Sequence, residues 1–171
     1  MEQVVLVDKK DKEIGYEEKY AVHRHPTRLH RAFSVFIFNA KNEMLITKRS
    51  SLKKTWPSFW SNTCCSHPRR GEEVKDAAQR RLKEELGIFV PLNYLFKFEY
   101  SADYDKEWGE NEMDHVFAGK FSGKPKPDKG EIDEWKFVNV KDLLSDIKKN
   151  PNKYTPWFKM CINRVLENMK K

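Results

Sequence analysis

The residues from 72 to 86 predict the best-defined helix of the chain, and this helix carries a carboxylate on its apolar side. Acidic residues occupy the first turn and Gly87 follows the last one, as is typical of helix ends. At 100° per residue the apolar side is formed by Val74, Ala77, Ala78, Leu82 and Leu86. Glu85 falls in the middle of it. A buried carboxylate must be paired or bound to a cation.

Two interpretations of Glu85 follow from the helix itself. The first is an ion pair with Arg81, four residues earlier on the same helix face. The second is a Mg²⁺ ligand, because Mg²⁺ is usually held by one or two carboxylates together with substrate phosphates. On this helix alone the ion pair is favoured.

The rest of the chain predicts strands and helices in irregular alternation. Strands are predicted at 4–8, 32–38, 43–49, 94–102, 112–121 and 134–140, with a further short strand ending near Tyr16. The strands at 32–38 and 43–49 form a predicted hairpin. Helices are predicted at 17–23 and 141–149. This order favours the α/β (α+β) class, with a central mixed β-sheet sandwiched between α-helices.

The last helix has clear sequence signals at its start. Thr155 stands at the N-cap position and Pro156 at the first helical position. An apolar stripe at four-residue spacing is predicted to face the core, formed by Trp157, Cys161, Val165 and Met169.

Length, charge and cysteine content narrow the class of protein. The 171 residues predict one domain over 1–171, and a net charge of +7 favours an anionic partner: nucleic acid, an acidic membrane or a phosphorylated small molecule. No apolar run is long enough to span a bilayer, and residues 1–12 do not read as a signal peptide. Three cysteines with an adjacent pair make a poor disulfide framework, so we expect a cytoplasmic protein.

The helix also carries a spaced motif. The segment Arg80-Arg-Leu-Lys-Glu-Glu-Leu-Gly-Ile88, with Glu72 eight residues before it, resembles the Nudix box. This resemblance implies a Nudix-like fold. Two positions depart from the box: Ser66 stands in place of a Gly, and Arg81 in place of a Glu that hydrolases of this family use to hold divalent ions. Arg81 therefore speaks against diphosphate hydrolysis.

Further segments point to one family. The segment 56–68 (WPSFWSNTCCSHP) leads into the box, His23 and His30 lie upstream, and Glu110-Asn-Glu112 and Thr155-Pro-Trp157 lie downstream. Together they resemble the type I isopentenyl-diphosphate isomerases, from about residue 18 to residue 157. The resemblance implies an enzyme of isoprenoid precursor biosynthesis. Its reaction interconverts isopentenyl and dimethylallyl diphosphate by a 1,3-proton shift through a tertiary carbocation.

Five residues are good ligands for Mn²⁺ or Zn²⁺: His23, His30, His67, Glu110 and Glu112. On a strand, the two glutamates face the same side, where they repel unless positive charge lies between them. A lone histidine is more often a surface or core-edge residue. The family pattern assigns one Mn²⁺ or Zn²⁺ to these five and leaves out His25 and His115.

The resemblance also implies catalytic roles. It pairs Cys65 with Glu112 as acid and base, in an order that the sequence leaves open, and it assigns to Tyr100 a hydrogen bond to the glutamate. Trp157 would stabilise the carbocation by its ring face, and it can be a core residue at the helix start at the same time. Cys65 could equally be a packed residue. A nearby metal and helix N-terminus would lower its thiol pKa. Cys64, facing the opposite way, is interpreted as structural.

The diphosphate requires cations. The resemblance implies a Mg²⁺ held by Glu85 and the backbone carbonyl of Cys65. It also implies a basic set around the diphosphate, namely Lys19, Arg49, Lys53 and Arg81. Any of these could instead be a solvated surface charge. For Lys19, surface charge and diphosphate binding are favoured equally.

The expected partner is a small allylic or homoallylic diphosphate, without nucleic acid or membrane, bound by a monomer or homodimer. Two rival functions are a Nudix pyrophosphohydrolase, which Arg81 opposes, and a basic RNA-binding module, for which the sequence has no motif.

Overall fold

The computed structural model describes all residues from 1 to 171. Its strands are β1 (Gln3–Val7), β2 (Glu13–Glu18), β3 (His30–Phe38), β4 (Met44–Arg49), β5 (Trp60–Ser61), β6 (Cys64–Ser66), β7 (Asn93–Asp103), β8 (Gly109–Lys120) and β9 (Ile132–Val138). Its helices are α1 (Lys19–His23), α2 (Val74–Leu86), α3 (Val140–Lys149) and α4 (Pro156–Met169), with a 3-10 turn at Pro151–Lys153.

All nine strands belong to one mixed sheet, and β3 lies at its centre. β3 pairs antiparallel with β1, β4 and β6, and parallel with β8. The parallel register begins at His30, opposite Glu112, and continues to the ends of both strands. This register places two of the predicted metal ligands side by side. The predicted hairpin of β3 and β4 is confirmed, although the two strands pair only at its closed end. Beyond that end β4 pairs with β5, and β4 pairs with β9 along its whole length.

Helices cover both faces of the sheet, as predicted. An apolar core lies on each face of the sheet, and successive side chains of β3 point into one core or the other. Phe36 packs with α3 and α4, whereas Val35 packs with α2. Glu112 and Tyr100 face the α4 side. The site therefore lies between the sheet and the start of α4, and α2 approaches it from the opposite face.

The stripe predicted along α4 is wrong at its end. Trp157, Cys161 and Val165 are buried, but Met169 is 38% exposed. Residues four apart advance 400°, so each step rotates the stripe by 40° away from the core. Phe158 and Ile162, one position further along, complete the buried face instead.

A half-buried aspartate in the turn between β1 and β2 connects this turn with β3, β7 and β8. The carboxylate of Asp11 accepts from Arg31 Nε (2.8 Å) and Lys97 Nζ (2.9 Å), and it lies 2.8 Å from His115 Nε2. Burial alone would raise the pKa of Asp11, but hydrogen bonds from Arg31 and Lys97 outweigh it and lower the pKa below its usual 3.8. A lowered pKa means that this stabilisation is present above pH 3.8 and is lost as the pH falls below it.

We expect Asp11→Asn to lower the free energy of unfolding by about 1–3 kcal/mol at pH 7, since it removes a charge-assisted set of hydrogen bonds. Urea unfolding at several pH values measures this loss, which should shrink as the pH falls below 3.8. The control is Glu99→Gln, an exposed acid on the same strand as Lys97. An equal loss in both variants, or a loss independent of pH, would contradict the prediction.

Candidate functional site

A cavity of about 370 Å³ opens between α1, β6, β8 and the start of α4. It brings together most of the residues predicted from the sequence: Lys19, His23, Arg49, Lys53, Cys65, His67, Arg81, Tyr100, Glu110, Glu112 and Trp157. His30 is fully buried behind the wall, next to His67. Glu85 lines a small adjoining cavity of about 30 Å³, which also touches Cys65 and Glu131.

Three imidazoles converge on Glu112. Its Oε1 lies 2.9 Å from His67 Nε2, 3.4 Å from His30 Nε2 and 3.9 Å from His23 Nε2. One ligand atom from each of these four residues lies within 4.8 Å of every other. Glu110 joins at the edge, where its Oε2 is 2.8 Å from His23 Nε2. The five predicted ligands are therefore neighbours in space.

Main-chain carbonyls fix the orientation of two of the rings. His23 Nδ1 lies 2.6 Å from the carbonyl of Lys19, and His30 Nδ1 lies 2.8 Å from that of Arg28. A ring nitrogen facing a carbonyl must be the protonated one, so in the neutral ring Nε2 turns a lone pair inward. His30 Nε2 lies only 3.2 Å from His67 Nε2. A cation bound between the two nitrogens would offset the repulsion of their lone pairs. The set of ligand atoms therefore fits a metal ion such as Mn²⁺ or Zn²⁺.

Burial and neighbouring charges shift the pKa values of these residues in different directions. Burial alone would lower the pKa of His23, but Glu110 and Glu112 raise it to about 10. Burial lowers the pKa of His67 to about 3 against the pull of Glu112. Burial opposes the ionisation of Glu112, yet the three surrounding imidazoles hold its pKa well below the usual value. The carboxylate of Glu112 is therefore kept ionised inside the protein.

Strand geometry explains why Tyr100 meets the same glutamate. Tyr100 of β7 is the antiparallel partner of Glu112 on β8, and its hydroxyl donates to Glu112 Oε2 over 2.6 Å. Burial, followed by the charge of Glu112, raises the pKa of Tyr100 well above 10. The phenol therefore stays protonated as a donor. The predicted contact between the two residues is present.

Cys64 and Cys65 face opposite ways, as expected for neighbours on a strand. Cys64 packs in the core with α2, whereas Cys65 lines the cavity. Burial, followed by the charge of Asp114, raises the pKa of the Cys65 thiol to about 12. The helix that was expected to lower the pKa begins only at Val74.

Trp157 closes the cavity beside the thiol. Its indole Nε1 lies 3.2 Å from Cys65 Sγ and 3.1 Å from Ser61 Oγ. The guanidinium carbon of Arg49 lies 5.3 Å from the centre of the ring system, which shows that a cation already approaches the indole. Trp157 is also 97% buried in the α4 core, since only 3% of it is exposed. Trp157 is therefore both a core residue and part of the cavity wall.

Three of the four predicted basic residues carry their own counter-charges. Arg81 donates to Glu85 Oε1 over 2.5 Å and to Glu131 Oε1 over 3.2 Å. Lys53 also bonds to Glu131, and Lys19 lies 3.1 Å from Glu2. The ion-pair interpretation of Glu85 is thus present in the structure. All four predicted cations line the cavity, where they remain within reach of a bound anion.

The sequence analysis missed several polar residues of the site. Asp114, buried and hydrogen-bonded to Ser34, shares the strand face of Glu110 and Glu112, so two-residue periodicity could have found it. Asn62 contacts Cys65 from within the segment 56–68. Glu131 follows the loop 122–130, where no periodic pattern marks it.

The chain matches the family model of the NUDIX domain over residues 28–158. It is 46% identical to isopentenyl-diphosphate Delta-isomerase 1 of Aromatoleum aromaticum, over 96% of this chain and 93% of that protein. It is 42% identical to isopentenyl-diphosphate Delta-isomerase 1 of Photorhabdus laumondii, over 98% and 97%. A plant relative, isopentenyl-diphosphate Delta-isomerase I of Clarkia breweri, is 37% identical over 96% and 66%.

Solved structures agree on the fold. A protein from Deinococcus radiodurans has a TM-score of 0.72 at 19% identity, covering 87% of this chain and 90% of that one. A MutT protein from Methanosarcina mazei has a TM-score of 0.68 at 20% identity, covering 84% and 96%. None of the helices has the length and apolar character that crossing a membrane requires.

We expect Glu85→Gln to lower the free energy of unfolding by about 1–3 kcal/mol, because Arg81 loses its most buried partner but keeps Glu84 and Glu131. Chemical unfolding measures the loss. Glu84→Gln is the matched control, since Glu84 also contacts Arg81 but is exposed. Equal stability of the wild type and Glu85→Gln would show that the pair contributes nothing.

Proposed function

The chain belongs to the isopentenyl-diphosphate Delta-isomerases of the NUDIX domain family, and we propose how its cavity catalyses the interconversion of isopentenyl and dimethylallyl diphosphate. The observation that carries the proposal is the position of Cys65, Glu112 and Trp157 on the walls of one cavity. A 1,3-proton shift needs one group that protonates the double bond and another that removes a proton from the allylic carbon.

Cys65 and Glu112 are the two proton-transfer groups. One adds a proton to the terminal alkene carbon, which leaves a tertiary carbocation on the next carbon. The other takes a proton from the allylic carbon on the far side of that cation, and the new double bond forms between these two carbons. Tyr100 holds one oxygen of Glu112 in place through its short hydrogen bond. Bound substrate would exclude water from the part of the cavity beside Cys65 and Glu112, where water would otherwise trap the cation as an alcohol.

Trp157 stabilises the carbocation. An indole ring face attracts positive charge without acting as a nucleophile, and the attraction grows when water is excluded. Support for this role comes from the Arg49 guanidinium, which already lies over the ring. The bound cation of the reaction would use the same property of the ring.

His23, His30, His67, Glu110 and Glu112 would hold one Mn²⁺ or Zn²⁺. Its charge would offset the repulsion between the two glutamates and keep Glu112 oriented beside the substrate. The main-chain carbonyls that contact Nδ1 of His23 and of His30 support this role, because they orient Nε2 of both rings toward the proposed ion.

Lys19, Arg49, Lys53 and Arg81 would bind the diphosphate, with Mg²⁺ held by Glu85 and the carbonyl of Cys65. Mg²⁺ would neutralise diphosphate oxygens that the side chains do not reach. The small cavity lined by Glu85 and Cys65 supports this placement. Arg81 in place of a metal-binding Glu leaves fewer ligands for the several ions that hydrolysis requires, which favours isomerisation.

The proposal predicts that Cys65→Ala loses nearly all isomerase activity, because one of the two proton-transfer groups is removed. Turnover of isopentenyl diphosphate, followed by NMR, measures it. Cys161→Ala is the matched control, because its thiol is buried in the α4 core and lines neither cavity. Cys64→Ala should also keep its activity, because that thiol packs against α2 and does not line the main cavity. Near-normal turnover by Cys65→Ala would remove this residue from the mechanism.

For the metal, we expect His67→Ala to lose bound Mn²⁺ or Zn²⁺ together with activity, as measured by elemental analysis of the purified protein. His115→Ala is the control, since His115 faces Asp11 on the other side of the sheet. Full metal occupancy in His67→Ala would mean that the five residues do not form one site.

For Trp157, turnover should fall in the order wild type, Trp157→Phe, Trp157→Ala, because the ring face acts only as positive charge develops. Binding of the diphosphate should change much less. Thermal melts run beside the kinetics identify any variant that loses its fold. Wild-type turnover in folded Phe and Ala variants would leave Trp157 with a packing role alone.

A further inference from the structure

Asn62 is a buried amide whose orientation is set by the main chain. Its Nδ2 donates to the carbonyl of Val35 over 3.2 Å and to that of Cys64 over 3.1 Å. These two acceptors belong to paired residues of β3 and β6. Because carbonyl oxygens repel an amide oxygen, the amide cannot be turned around. Oδ1 must therefore face the opposite direction.

Two donors meet that oxygen. Ser61 Oγ donates to Asn62 Oδ1 over 2.9 Å, and Cys65 Sγ lies 3.0 Å from the same atom. A side-chain amide oxygen only accepts hydrogen bonds. The proton of the Cys65 thiol is therefore directed at Asn62.

Thr155 stands at the N-cap of α4 but makes no side-chain cap. Its Oγ1 lies 2.9 Å from Ser61 Oγ instead. Since the single hydroxyl proton of Ser61 is given to Asn62, Thr155 must be the donor to Ser61. A side-chain cap would stabilise the helix, so the bond from Thr155 to Ser61, which is far away in sequence, indicates a second role for this threonine.

The indole of Trp157 completes the network. Its Nε1 lies within reach of both Ser61 Oγ, at 3.1 Å, and Cys65 Sγ, at 3.2 Å. The indole therefore contacts the sulfur directly and also contacts Ser61, whose hydroxyl bonds to the same amide oxygen as the thiol. All five side chains of this thiol network are buried or half-buried: Ser61, Asn62, Cys65, Thr155 and Trp157.

We propose that Asn62 is a positioning residue for the isomerisation, supported from behind by Ser61 and Thr155. Asn62 fixes the direction of the Cys65 S–H bond and, through Ser61, the distance between the sulfur and the indole. This inference rests on the proposed roles of Cys65 and Trp157. A misplacement of about 1 Å can cost on the order of a hundredfold in rate, so loss of this support should act on turnover.

The test uses the infrared S–H stretch of Cys65, identified by its absence in Cys65→Ser, together with kcat and KM. In Asn62→Leu, which removes the acceptor at similar size, the S–H band should move to higher frequency. The kcat should fall about tenfold or more, with KM for isopentenyl diphosphate changed much less, because the Asn62 side chain makes no hydrogen bond to any of the basic residues.

A second pair of variants covers the case in which Asn62→Leu does not fold. Thr155→Val removes the hydroxyl at constant shape and should lower kcat, whereas Thr155→Ser keeps the hydroxyl and should restore most of it. Asn139→Ala is the stability control. It removes a real cap, since Asn139 accepts from two backbone N–H groups of α3, and should lower Tm with kcat intact.

An unmoved S–H band with wild-type kcat in folded Asn62→Leu would overturn the proposal. So would equal kcat in Thr155→Val and Thr155→Ser. Wild-type kcat in Cys65→Ser would instead refute the catalytic role of the thiol. In that case the S–H band of Asn62→Leu would still report on the hydrogen bond, so the two failures are distinguishable.

Discussion

The ionised carboxylate of Glu112, buried among three imidazoles, is the constraint on which the rest of the site depends. Transfer of such a charge out of water is costly unless it is paired or hydrogen-bonded. The protein supplies the partners from separate parts of the chain: His30 through the parallel register of β3 and β8, His67 after β6, and His23 at the end of α1. The sheet must therefore form in this register before the site exists.

Charge balance also governs the opposite end of the cavity. Arg81 and Lys53 share Glu131, and Arg81 also pairs with Glu85. These pairs keep the basic residues ordered without substrate. A diphosphate with its Mg²⁺ would bring matching charges of both signs, so that cations and carboxylates exchange partners with little net change in buried charge. On the proposed function, the altered Nudix box would provide a place for an anion.

Local sequence patterns predicted much of this structure. The helix at 72–86, the two-residue alternation that sets Glu110 beside Glu112, and the opposite facing of Cys64 and Cys65 follow from periodicity. The raised pKa of Cys65 did not follow, because it arises from burial and from Asp114, which no local pattern connects with the thiol. The diversion of Thr155 from its cap to Ser61 depends on the meeting of β5 with α4. The catalytic and ligand roles remain predictions.

Exchange of solvent hydrogen is the most direct test of the central claim that buried groups of this cavity carry out a 1,3-proton shift. Isopentenyl diphosphate is incubated with the enzyme in D₂O and followed by NMR. We predict deuterium in dimethylallyl diphosphate and in the recovered substrate, with the diphosphate intact. Release of phosphate or diphosphate without rearrangement of the carbon chain would contradict the account and favour hydrolysis.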